Sequence, residues 1–178
     1  MNTIYTTLVS EIKTEELTSK FQHGLTPLLD KLEGDFSQEI INQIVLWKVN
    51  RYASINSITL TKLNSLNKQD KEIDIEFTKQ ILYELLNTKG IQLPMASSIL
   101  RFKNPNIYQV IDQRVYRFIT GANIKHPNSI KEKVDYYLDY LKELKHVCEE
   151  KQIEFSQSDR ILYELDKKFN PDKPLKNC

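Results

Sequence analysis

The stretch Lys89-Gly90-Ile91-Gln92-Leu93-Pro94-Met95-Ala96 decides how this chain folds. It follows a segment, 74–88, that puts Phe77, Ile81, Leu82, Leu85 and Leu86 on one helical face, and Gly90 stands where such a helix stops. Proline is well tolerated in the first turn of a helix, so Pro94 opens a second one, with Ala96, Ile99, Leu100 and Phe102 apolar. A tight hairpin between two helices leaves backbone N–H groups unpaired at the start of the second. Such groups bind phosphate, because the helix dipole adds to the donors, and a glycine lets the phosphate approach closely. An ordinary helical turn has the same pattern, so this stretch by itself leaves both readings open.

The same periodicity continues on either side. Asn104-Pro105-Asn106 is a breaker, and a helix follows Asp112 with Val115, Phe118 and Ile119 apolar, ending near Gly121. Ser129 with Glu132 three residues on is a capping-box pattern, and Val134, Leu138, Leu141, Leu144 and Val147 form the face of the helix it starts. Ser158 precedes a last pattern of Ile161, Leu162, Leu165 and Phe169 that Pro171 ends. Upstream, Ser37 caps a helix over 37–50 carrying Ile40, Ile41, Ile44 and Val45. Residues 3–9 read as mostly helical, 57–63 as irregular or helical, and 64–73 as an exposed connection. Ile-Leu-Tyr-Glu-Leu occurs at 81–85 and again at 161–165, but the flanks differ, so it reflects convergence on amphipathic helix sequence. With only four glycines, the chain is expected to be all-α.

Composition sets the outer bounds. The chain has 178 residues, 40% hydrophobic and 28% charged, which is ordinary globular composition and excludes collagen-like and disordered classes. No run of about 18 apolar residues is present, so no membrane partner is expected. The N-terminus has neither a basic n-region nor an apolar h-region, and the protein is expected to be cytoplasmic. Cys148 and Cys178 cannot by themselves supply an iron–sulfur cluster or a zinc site, and His23, His126 and His146 lack ligand-like spacing. Neither a metal nor a cofactor is expected.

The net charge of +1 is a cancellation. Residues 89–131 hold seven cations (Lys89, Arg101, Lys103, Arg114, Arg117, Lys125 and Lys131) against Asp112 alone, a local excess of +6. The rest of the chain has eighteen cations and twenty-three acids, a net of −5. A basic stripe is the electrostatic footprint of phosphate binding. Its lone carboxylate stands at a helix start, where it is either a plain N-cap or a group aimed at a substrate.

Residues 81–120 resemble the helix-hairpin-helix DNA glycosylase superfamily. In that superfamily a Leu-Pro-Gly-Val-Gly-type hairpin precedes an Ala-containing helix, and a Val-Asp dipeptide follows. Here Lys89 to Leu93 takes the hairpin, Ala96 the helix alanine and Ile111-Asp112 the dipeptide. Ile41 to Arg51, with Trp47-Lys48, and Asp159 to Leu165 resemble segments of a compact bacterial branch. The resemblance implies a two-lobed helical bundle with an interlobe cleft, the lobes falling at about 1–35 plus 122–178, and 36–121. It implies a hairpin that grips duplex DNA, with a monovalent cation held in some members by carbonyls of the 89–95 hairpin. It also implies an enzyme that extrudes a modified base and cleaves its N-glycosidic bond, with Asp112 as the catalytic carboxylate.

Pro94 matches the position of the attacking lysine in bifunctional members, so a monofunctional enzyme without a Schiff-base step is implied. Gln92 replaces the second hairpin glycine, which restricts positive φ there. The DNA-binding set is Lys89, Gly90, Gln92, Arg101, Lys103, Arg114 and Arg117, and the base-pocket candidates are Trp47, Lys48, Tyr108 and Tyr116. Each aromatic has a bland alternative as core packing, and Arg114 or Arg117 has one as an ion-pair partner of Asp112. Asp159 and Asp166 are expected only to cap or pair within the last helix. Two other functions stay open: a DNA-binding module that kept the hairpin without the chemistry, and a helical protein–protein adaptor. The oligomeric state is not legible.

Overall fold

A computed structural model describes residues 24–49, 53–173 and 175. The described residues are helical and contain no strand, which establishes the all-α class. The chain divides into two compact units, 1–52 and 53–178.

The described part of the first unit holds α1 (Thr26–Leu29) and α2 (Gln38–Lys48). The Ser37 hydroxyl caps α2 by accepting from the N–H of Ile40. Leu25 is fully buried, and the Trp47 indole N–H donates to Thr26 Oγ1 at 2.8 Å. The expected helix at 3–9, together with His23, Arg51 and Cys178, lies outside the described residues.

The second unit runs through α3 (Ser57–Ser65), α4 (Ile75–Asn87), α5 (Leu93–Lys103), α6 (Gln113–Thr120), α7 (Ile130–Lys151) and α8 (Ser158–Phe169). A 3-10 turn, Phe155–Gln157, leads into α8. Caps set most of the boundaries. Asn56, Asp74 and Asp112 each accept backbone N–H groups at the starts of α3, α4 and α6, and Ser129 with Glu132 forms the full capping box of α7. The Ser129 hydrogen bonds hold the Glu132 carboxyl below its usual range. Segment 57–63, read as irregular or helical, is helix.

One core unites the unit. Ile81, Leu82 and Leu85 of α4, Ala96 and Leu100 of α5, Val115 of α6, Tyr137 and Leu144 of α7 and Leu162 of α8 are buried together. The compact units divide between 52 and 53, and the expected lobes between 35 and 36 and between 121 and 122. The long helix α7 packs its apolar face on α4, so segments from both expected lobes share this core.

Candidate functional site

The hairpin is built as its sequence dictates. Helix α4 ends at Asn87, and the Ile91 N–H returns to the Thr88 carbonyl at 3.1 Å to close a four-residue turn. Gly90 occupies the third position of that turn with φ +89°, a conformation only glycine adopts without strain. Gln92 has φ −106°, so its position needs no second glycine, and its carbonyl accepts the Ala96 N–H to start α5. The first helical residues are Leu93 and Pro94, and no side chain caps them. Lys89 and Gln92 are exposed beside the turn. Lys133 of α7 reaches the same place, with its ammonium 3.4 Å from Gln92 Oε1.

Three side-chain hydrogen bonds anchor the residues that lead to Asp112. The Tyr137 hydroxyl donates to the Gln109 carbonyl at 2.9 Å, and the Tyr140 hydroxyl donates to the Val110 carbonyl at 2.8 Å. Ser97 Oγ, on α5, accepts the Ile111 N–H at 3.2 Å. Burial pushes both tyrosine hydroxyls well above their usual range, so they stay protonated donors. The helix after the hairpin and the acidic dipeptide are thus parts of one hydrogen-bonded assembly.

Asp112 itself caps α6, with Oδ1 accepting from Arg114 N at 2.7 Å and Val115 N at 3.4 Å. Its Oδ2 accepts no hydrogen bond from the described residues. The residue is half-buried on a pocket of about 430 Å³ that it shares with Val110, Asp159, Arg160, Tyr163 and Glu164. Tyr163 is the exposed aromatic of that pocket, with Arg114 and Lys167 each 5.6 Å from its ring centre.

The cations of the basic segment divide into two groups. Arg101 is 7% exposed and pairs with Asp159 at 3.1 Å. Arg114 and Arg117 both pair with Asp166, at 3.2 and 2.8 Å, and the Asp166 side chain is fully buried. Arg117 holds the Asp166 carboxyl below its usual range, with further bonds from Asn170 and Arg114, and Asp166 in turn raises Arg117. Lys131 pairs with Asp135 at 2.7 Å. Three carboxylates of α7 and α8, Asp135, Asp159 and Asp166, therefore offset half of the excess of +6. In the folded chain Arg101 is thus engaged by Asp159, and Arg114 and Arg117 are engaged by Asp166. Neither Arg114 nor Arg117 has Asp112 as its ion-pair partner. Lys89, Lys103 and Lys125 form no ion pair among the described residues, and Lys103 lies 3.4 Å from Asn64 Oδ1.

The aromatic candidates also separate. Tyr108 is 1% exposed and its hydroxyl bonds Thr78 at 2.7 Å, so it is core and not a base surface. Tyr116 packs its ring against Tyr136 and Tyr140. Trp47 and the exposed Lys48 belong to the first unit.

Sequence reasoning missed Asp159, Arg160, Tyr163 and Glu164 as neighbours of Asp112, and Lys133 as a neighbour of the hairpin. One signal was present. Asp159 and Asp166 are seven residues apart and share a face with Leu162, so both acids fall on the apolar side of α8, where a carboxylate needs a cationic partner.

Among the described residues, no cluster of three His, Cys, Asp or Glu side chains is arranged to hold a metal, and no helix is long and apolar enough to cross a membrane. No family model, curated protein or solved structure matches the chain.

Proposed function

We propose that this chain binds duplex DNA through the 88–92 hairpin and hydrolyses the N-glycosidic bond of an extruded modified base, with Asp112 as the essential carboxylate. The observation that carries this reading is the coupling between α5 and Asp112 through Ser97 and Ile111, with Oδ2 unengaged on an open pocket. A phosphate gripped at the hairpin is thereby held in fixed register with the carboxylate. The proposal includes the helix-hairpin-helix identity of 75–103 and the two-lobed glycosylase arrangement.

In this mechanism the bond between C1′ and the base nitrogen breaks, and its electron pair leaves with the base. The sugar becomes cationic at C1′, and the negative charge on Asp112 stabilises it. Water then adds to C1′ and its proton passes to the departed base nitrogen, leaving an abasic sugar and the free neutral base. Pro94 offers no amine, so no covalent sugar–enzyme intermediate forms. The phosphate-facing cations in this reading are Lys89, Lys103 and Lys133.

A second reading is a DNA-binding module without chemistry. It is favoured by the N-cap role of Asp112, which a purely structural aspartate also fills. A screen of duplexes carrying different modified bases tests the two together. Salt-sensitive retention with release of one base class supports the enzyme. Equal retention of modified and unmodified duplexes with no base release supports the module. Absence of retention even at low salt overturns both, since phosphate binding strengthens as salt falls.

A further inference from the structure

We propose that the groove lined by the first turn of α4 and by residues 135–145 of α7 is a binding site for a small aliphatic carboxylate. The groove encloses about 640 Å³, within the range of about 300–1,000 Å³ found for small-molecule sites. Its apolar wall consists of Ile73, Ile75, Ile107, Leu138, Leu141 and Phe155. Five of these six are aliphatic, which suits a chain better than a stacked ring. Ile75 stands 41% exposed at the start of α4, so apolar surface is open to a ligand there.

The rim sets the sign of the head group. It carries Lys71, Lys79, Lys142 and Lys145 together with Asp135 and Asp139. Lys79 is taken up by Glu76 and Asp135 by Lys131, each at 2.7 Å. That leaves Lys71, Lys142 and Lys145, none in an ion pair among the described residues, against Asp139 alone. A low-dielectric wall beneath such a rim concentrates an anion at the mouth of the groove. An aliphatic carboxylate places its chain on the wall and its charge among the lysines. None of these residues lines the Asp112 pocket, so the site stands apart from the DNA reading.

The experiment titrates the full chain with decanoate and, separately, with decyltrimethylammonium, by calorimetry and by amide chemical-shift mapping. Decanoate is expected to saturate with at least about tenfold higher affinity than the cation of equal chain length. Its shifts are expected at Ile75, Leu138 and Phe155. The double variant Lys142→Glu, Lys145→Glu changes only exposed positions, so it folds, and its preference is expected to reverse. Absence of saturable decanoate binding overturns the proposal. So do equal affinities for the two ions, shifts confined to another surface, or a double variant that binds decanoate as the parent does.

Discussion

The hydroxyl of Ser97 accepts the backbone N–H of Ile111 at 3.2 Å, and this bond joins the helix after the hairpin to the residue before Asp112. Ser97 is fully buried and also donates to the Pro94 carbonyl at 2.8 Å. One side chain therefore connects the first turn of α5 to the acidic dipeptide.

Replacing that serine tests the connection. Ser97→Ala leaves a buried amide without an acceptor, which costs about 1–3 kcal/mol. The thermal midpoint should fall by about 2–4 °C for each kcal/mol lost. In the proposed mechanism, base release per bound duplex falls as well, because the carboxylate loses its register with the hairpin. Unchanged stability would show that the bond contributes nothing.

Asp166 predicts an acid-sensitive fold. Its carboxyl is buried between Arg114 and Arg117 and titrates below the usual range. The unfolded chain takes up this proton first as pH falls. The stabilisation is thus complete above the ordinary carboxylate pKa of about 3.9 and is lost as pH drops through the lower folded value. Denaturant titrations from pH 6 down to about pH 2 should show the parent losing stability over that lower window. Asp166→Asn should be flatter there and about 3 kcal/mol less stable at neutral pH, because two partly buried guanidinium groups lose their counter-charge.

Lys89 and Arg101 are both cations of the basic segment but predict opposite phenotypes. Lys89→Ala should reduce the slope of log affinity against log salt for duplex DNA by about one and leave thermal stability near the parent's. Arg101→Ala should leave the slope alone and lower the melting temperature, because it strands the buried Asp159. Salt titrations paired with thermal melts separate the two, and a swapped outcome would reverse the assignment.

Gly90 tests the turn itself. A Cβ there meets no atom within 4 Å, so any penalty for Gly90→Ala comes from its φ of +89° and not from a clash. The expected cost is about 1–2 kcal/mol by equilibrium unfolding. A neutral result would mean that the turn relaxes to another conformation.

The helices of 74–169 were legible because their apolar positions repeat at helical spacing and their caps are short polar residues in the right places. Segment 57–63 was harder, since its pattern is weak and only the Asn56 cap and the burial of Thr59 and Leu63 fix it as helix. The local chemistry of the hairpin was legible too, since Gly90 and Pro94 each have one conformational use there. The electrostatics were not. Arg101 pairs with a residue 58 positions away, and Arg114 with one 52 positions away, and a linear count of charge cannot see a partner that only folding supplies. The same distance hid Tyr163 and Glu164 from the Asp112 pocket. Tyr108 shows the matching limit for aromatics, whose composition does not distinguish a hydrogen-bonded core role from a base surface.

The most direct test of the central claim is single-turnover base release by Asp112→Asn, measured beside duplex retention on the substrate class the screen identifies. Asparagine keeps an acceptor for the Arg114 and Val115 amides, so α6 stays capped, and only the negative charge is removed. The account predicts that release falls by about a hundredfold or more while retention stays within about twofold of the parent. Release at the parent's rate would contradict it.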